Sequence, residues 1–313
     1  MVNFSFKIEP KSFYDFLCGR VKVLETNLIS ESLFKELVRK DFKGFIEVLQ
    51  NYPYKNFLTS DDFESVRNAI DKRKETEFEE FSKFGLESFI NVFFKTQEYF
   101  LLLKKISLGN VIENDFTHLL FESPQSLPTE FTECFEELKR DYPSYLKPLV
   151  VDVYYLNFLL RNAEQTKSEF LLNFYKSYTK NVILSTLMRN YNFVKNNFIS
   201  EMNFNKILAY IKERLKYPEI VSKFKDFLEF ELFLNESKGL YSEEYLVESY
   251  ETLVLDTLRE TFSKGKYLNE GIEPIFVYLL KLSNEASLLQ KLAYALYYGV
   301  DPKEIPELEF AYE

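Results

Sequence analysis

The sequence predicts an all-α fold, and three observations predict it. Glycine and proline are scarce, 8 and 10 in 313 residues, which leaves little material for tight hairpins. Leu, Glu, Lys and Phe dominate the composition, a mixture weighted toward helix formers. Apolar residues recur at intervals of three and four through most of the chain, the period of a helix with one buried face.

The elements follow from start and stop signals. A first helix is expected over residues 12–29, with Ser12 as its cap and Phe13, Phe16, Leu17, Val21, Leu24 and Leu28 on one face. Two short helices, 30–40 and 42–52, end at Tyr52-Pro53. A long one, 59–84, opens at Ser60 or Asp61, and another, 86–108, stops at Gly109-Asn110. The same order returns as short helices over 114–121 and 128–139, then long ones over 145–163 and 167–191. A third round has short helices at 203–215 and 218–234, then long ones at 242–262 and 274–298. The last is the most sharply bounded. Pro274 suits a first helical turn, where its missing N–H is not needed, and Gly299 with Pro302 supplies a left-handed stop and a block to continuation. Its stripe Ile275, Tyr278, Leu279, Leu282, Ala286, Leu289, Leu292, Ala293 and Leu296, with a second begun by Val277, Leu280, Leu288 and Ala295, predicts packing on two sides.

Short-short-long-long therefore occurs three times, with long helices beginning near 60, 144 and 242. The spacing far exceeds that of solenoid repeats of helical hairpins, so three copies of a four-helix unit are expected. Their boundaries fall at 1–109, 110–200 and 201–313.

Net charge of −10 argues against a nucleic-acid partner, whose footprint is a basic face. Cys18 and Cys134 are too few for a disulfide framework, and the N-terminus lacks the basic flank and apolar run of a secretory signal, so a cytoplasmic setting is expected. No window is apolar enough to span a membrane. The 33 Phe and 22 Tyr sit at helical spacing and read mainly as core filling.

Chemistry finds few candidates. His118 is the only histidine, which removes zinc sets and Ser-His pairs, and the glycines are too dispersed to cradle a phosphate. No catalytic residue, cofactor or metal is expected. Asp61-Asp62-Phe63-Glu64 and Asn114-Asp115 with His118 and Glu122 approach the two Mg²⁺ motifs of helical prenyl-diphosphate enzymes. Each carries the wrong residue at a ligand position, Ser65 in the first and His118 in the second. Asp61 as a helix cap is the simpler reading. Lys72-Arg73-Lys74 and the acidic run Glu75 to Glu80 read as the solvated faces of a long helix. Asp152, within Leu149-Val150-Val151-Asp152-Val153-Tyr154-Tyr155, is the strongest candidate for a buried charge. It should pair with an Arg or Lys, for which Arg161 and Arg189 are nearby, or else face a wet cavity. Asn157 and Arg161 punctuate the same apolar helix.

Two segments carry a family resemblance. Glu273-Pro274, Tyr278-Leu279-Leu280, Glu285-Ala286 and Gly299-Val300-Asp301-Pro302-Lys303-Glu304-Ile305 resemble the C-terminal signature of the V-type ATPase central-stalk subunit, called C in archaea and bacteria and d in eukaryotes. Arg20-Val21-Lys22-Val23-Leu24-Glu25 with Leu28-Ile29 resembles its N-terminal step. Leu288-Leu289-Gln290 departs from the Asn-hydrophobic-Arg step of that family. The resemblance implies three helical modules arranged as a funnel with pseudo-threefold symmetry. It also implies a non-catalytic socket that holds the central rotor shaft and sits on the membrane ring, meeting the membrane only through that ring. Arg20, Asp152, Asn157 and Arg161 are then the candidate partner-interface residues. An unrelated helical adaptor is the alternative, and a helical Mg²⁺-dependent enzyme a further one.

Overall fold

A computed structural model describes residues 9–110, 127–237 and 249–305, with Leu120 and Leu308. All regular structure among them is helical and no strand occurs. No helix among them is long and apolar enough to cross a membrane. The helix expected at 114–121, the start of the one expected at 242, and the residues Asp115, His118 and Glu122 lie outside the described residues.

The chain divides into two compact units, Ile8–Gly85 with Glu251–Glu313, and Leu86–Tyr250. The first unit holds α1 (Lys11–Leu24), α2 (Glu31–Leu37), α3 (Phe42–Leu49) and α4 (Phe63–Phe81). With them are nearly all of α13 (Ser249–Gly265) and all of α14 (Glu273–Tyr298). The other holds α5 (Glu87–Ile90), α6 (Thr96–Ser107), α7 (Thr129–Leu138), α8 (Lys147–Gln165), α9 (Glu169–Lys195), α10 (Glu201–Arg214), α11 (Glu219–Ser222) and α12 (Phe227–Ser237).

In the first unit α14 packs along α4 and also touches α1 and α3. Phe34, Leu37, Phe45, Ile46 and Leu49 of α2 and α3 meet Val66 and Ile70 of α4 and Ala286, Leu289, Leu292 and Ala293 of α14 in one core. The long helix matches its sequence signals closely. Pro274 lies in the first turn, and Gly299 takes φ 71°, the left-handed stop, with the Val300 N–H returning to the Ala295 carbonyl at 2.9 Å. Burial runs all round from Pro274 to Leu279, while Leu280, Leu288 and Leu296 are half-buried.

Two starts differ from expectation. α1 begins at Lys11 behind Pro10, so Ser12 lies inside the helix and caps nothing. α4 is capped by Asp62, whose Oδ1 accepts the Ser65 N–H at 2.8 Å, not by Ser60 or Asp61. The reciprocal partner is Ser65, whose buried hydroxyl oxygen accepts the N–H groups of Thr59 and Ser60 at 2.9 and 3.0 Å. Together they satisfy three backbone N–H groups at the helix start, in the manner of a capping box.

In the other unit α8 is the centre, touching α6, α7, α9 and α10. Phe100, Phe131 and Phe158 interlock there, with Phe100 and Phe131 stacked at 4.6 Å. Around α10 and α12, Phe204, Phe224, Phe227 and Phe230 form a second aromatic knot. These rings are buried, as the helical spacing of the aromatics predicts.

Candidate functional site

Asp152 lies one turn into α8, on the side facing α6. Lys104 Nζ donates to both of its oxygens, at 2.8 and 2.7 Å. An Arg or Lys partner was expected from the sequence, and Lys104 is that partner in place of the nearby Arg161 or Arg189. Arg161 lies nine residues further along the same helix, about two and a half turns, so it leaves from the opposite side. It reaches Glu130 on α7 at 3.4 Å instead. Arg189 lines the same cavity as Asp152, and its charge favours the ionised carboxylate. Burial nevertheless dominates and raises the Asp152 pKa, against the pull of Lys104 and then Arg189.

This cavity holds about 500 Å³ between α6, α8 and α9. Lys104, Asp152, Arg189 and Asn190 form a polar side, and Leu149, Phe193 and Phe198 an apolar one. A pocket of that size and mixture suits a small polar group carried on an apolar stem, or a partner's side chain.

Asn157 has another position. Its Nδ2 donates to the Arg214 carbonyl at 2.8 Å, and its Oδ1 accepts the Lys216 N–H at 2.8 Å, clamping the chain as it leaves α10. Glu164, two turns on, takes both the Lys216 ammonium and the Tyr217 hydroxyl. Asp152, Asn157 and Arg161 therefore meet three different neighbours, and of the three only Asp152 lines the cavity.

Arg20 belongs to the other unit. It pairs with Glu80 of α4 and lies 5.8 Å from the Phe84 ring centroid, with its Nε buried and unpartnered. Deeper on the same side of α4 is a polar cluster that the sequence reading missed. Arg73 is 1% exposed, not on the solvated face expected for Lys72-Arg73-Lys74. Its Nη1 donates to Glu285 Oε1 at 2.6 Å, its Nη2 donates to the Asn27 carbonyl at 2.9 Å, and its guanidinium lies 4.5 Å from the Tyr54 ring centroid. Glu285 also accepts the Tyr54 hydroxyl at 2.5 Å and the Ile29 N–H at 2.6 Å. Register explains the burial: 66, 70 and 73 share the α4 face whose Val66 and Ile70 enter the core. Between this cluster and Arg20 stand Glu77 and Tyr278, where Arg73 Nε, Glu77 Oε2 and the Tyr278 hydroxyl are buried without a hydrogen-bond partner. Burial raises the Glu77 pKa, opposed by the charges of Arg73 and Arg20.

Compared with family models and with curated proteins, the sequence matches none.

Proposed function

We propose that this chain is a non-catalytic rotor-socket subunit, coupling the central shaft of a V-type ATPase or ATP synthase to its membrane ion-translocating ring. In this reading three similar helical modules form a funnel, the protein is cytoplasmic, and it reaches the membrane only through the ring. The observation that carries the proposal is how the two family-like segments meet. Glu25 of the N-terminal step accepts from Lys281 at 2.7 Å, and the Ile29 N–H of the same step reaches Glu285 at 2.6 Å. Ahead of that step, the Cys18 thiol donates to the Gly271 carbonyl at 3.3 Å, just before α14. Segments some 250 positions apart are thus joined by direct polar contacts, as residues selected together in one socket would be. Torque transmission asks for long rigid helices cross-tied in this way, and for no reaction centre.

One observation favours a second reading. The chain divides into two compact units, an organisation that a helical adaptor outside this family also permits. A pull-down of the purified protein with purified shaft and ring components separates them. Retention of both supports the socket, and retention of neither overturns it in favour of the adaptor.

A further inference from the structure

The cavity beside Asp152 owes its outer wall to the way α9 stops. The helix ends at Lys195, and Asn197 takes φ 60°, in the left-handed region that Asn tolerates better than most residues. The Phe198 N–H returns to the Phe193 carbonyl at 2.8 Å and the Asn197 N–H to the Val194 carbonyl at 3.0 Å, the paired bonds of a Schellman stop. Such a stop brings an apolar residue beyond the helix onto one in its last turn. Here Phe198 and Phe193 meet edge to face, with centroids 6.1 Å apart. Neither ring fills the core: Phe193 and Phe198 are 41 and 76% exposed, and both line the cavity with Leu149. A hydrogen-bonded turn therefore holds two aromatic rings opposite a polar wall.

Charge indicates what fits between them. Lys104 and Arg189 line the cavity against a single carboxylate, Asp152, a surplus of one positive charge. Within two positions of a lining residue the flanking charges are Lys105, Lys147 and Lys195 against Glu201, and Lys195 is paired with Glu231. The charges that act on Asp152 are both cationic. Backbone ends do not reverse the sign. α8 starts beside the cavity with no side-chain cap and no acid in its first turn, while the Asn192, Phe193 and Val194 carbonyls of α9 are bonded by the N–H groups of Asn196, Phe198 and Asn197. In a chain of net charge −10 this is a local reversal of sign. Lys104 donates to both Asp152 oxygens and, as an ammonium, has a further donor, while a guanidinium is a fork of donors suited to a carboxylate or phosphate. A volume of about 500 Å³ with one apolar and one polar side is in the range of small-molecule sites.

We propose that this cavity binds a monoanionic head group carried on an apolar stem, the chemistry shared by a free fatty carboxylate and an acidic phospholipid, with the head at Lys104 and Arg189 and the stem along Phe193 and Phe198. The site lies within one unit and does not depend on membership of a rotary machine.

The test is isothermal titration of the full chain with octanoate, decanoate, octanol and octylamine. Octanoate is expected to saturate one site, and decanoate to bind more tightly, by up to about fourfold for each added methylene. Octanol and octylamine, which keep the stem but lack the negative charge, should bind at least about tenfold more weakly. Arg189 is exposed, so Arg189→Gln should fold normally, weaken both carboxylates by about tenfold and leave octanol unchanged. Phe198→Ser should weaken decanoate more than octanoate, because the longer stem covers more of the ring. Equal affinity for octanol and octanoate overturns the proposal, as does carboxylate binding that Arg189→Gln leaves unchanged. Uptake of many octanoates per chain without saturation also overturns it, since that is adsorption to exposed apolar surface. If melting curves show that Phe198→Ser does not fold, Arg189→Gln decides. Flotation with phosphatidylglycerol vesicles, beside phosphatidylcholine ones, separates the two sources: attachment that octanoate displaces assigns the head group to a membrane lipid, and no attachment assigns it to a free amphiphile.

Discussion

Arg73 and Glu285, 212 positions apart, lie 2.6 Å from each other in the core of one unit, with the Tyr54 hydroxyl on the same carboxylate oxygen. Each residue's charge is tolerable there only because of the other. Arg73→Met leaves Glu285 with a buried, half-paired carboxylate and is expected to lower stability by about 3–5 kcal/mol, and Glu285→Gln weakens the same bond from the other side. The double variant Arg73→Met with Glu285→Met removes both charges and should lose clearly less than the two Met substitutions add up to. Urea unfolding of the set gives the coupling directly, and additive losses would show that the pair is not one unit.

Glu77 gives a pH signature. Burial raises its folded pKa above the ordinary value of 4.5, against Arg73 and Arg20, with Tyr278 also facing it. The protonated form is therefore the one the fold prefers. Its contribution to stability is fully present below about pH 4.5 and is lost as pH rises through the raised folded value. Glu77→Gln keeps the neutral shape at every pH. Its melting temperature relative to wild type should climb from acid to neutral pH, and a flat difference would mean that Glu77 is not perturbed.

Two glycines separate backbone strain from steric crowding. At Gly299, φ 71°, a Cβ meets nothing within 4 Å, so Gly299→Ala carries only the left-handed backbone penalty, about 1 kcal/mol. At Gly265 a Cβ would lie 2.6 Å from Val277 Cγ1, and Gly265→Ala should cost more. Val277→Ala added to it should recover part of that loss. Chemical denaturation of the three variants beside the wild type checks the order.

Local signals in the sequence located what local physics controls. Pro274 and Gly299 bounded α14 because a missing N–H and a permitted positive φ are properties of single residues. The apolar and aromatic spacing identified helices and core, since burial of one face has a period. Pairings that join distant elements were not legible. Lys104 reaches Asp152 across 48 positions, and nothing in the run around Lys104 distinguishes it from Lys105 beside it. Arg73 looked solvated because Lys72 and Lys74 flank it, although its register with Val66 and Ile70 already placed it on the buried face of α4. Asn157 read as a partner-interface candidate because the groups it bonds are backbone N–H and C=O, which carry no sequence signature.

The last prediction concerns Asp152 and tests whether its cavity serves a partner or only the fold. Asp152→Lys sets an ammonium against Lys104 and beside Arg189, so it should lower the melting temperature and leave the pocket strongly cationic. Reversing both ends, Asp152→Lys with Lys104→Asp, restores the ion pair at the same place with its direction inverted and should recover most of the lost stability. A role confined to folding predicts that the double variant also recovers assembly with shaft and ring components in the pull-down. A role in recognition predicts that it folds but assembles poorly, because a partner group chosen for a carboxylate on α8 now meets an ammonium. Arg20→Glu gives the parallel case in the other unit: it sets a carboxylate against Glu80, and Glu80→Arg added to it restores the pair. Melting curves read beside retention in the pull-down decide each case, and full assembly by both restored pairs would remove Asp152 and Arg20 from the interface.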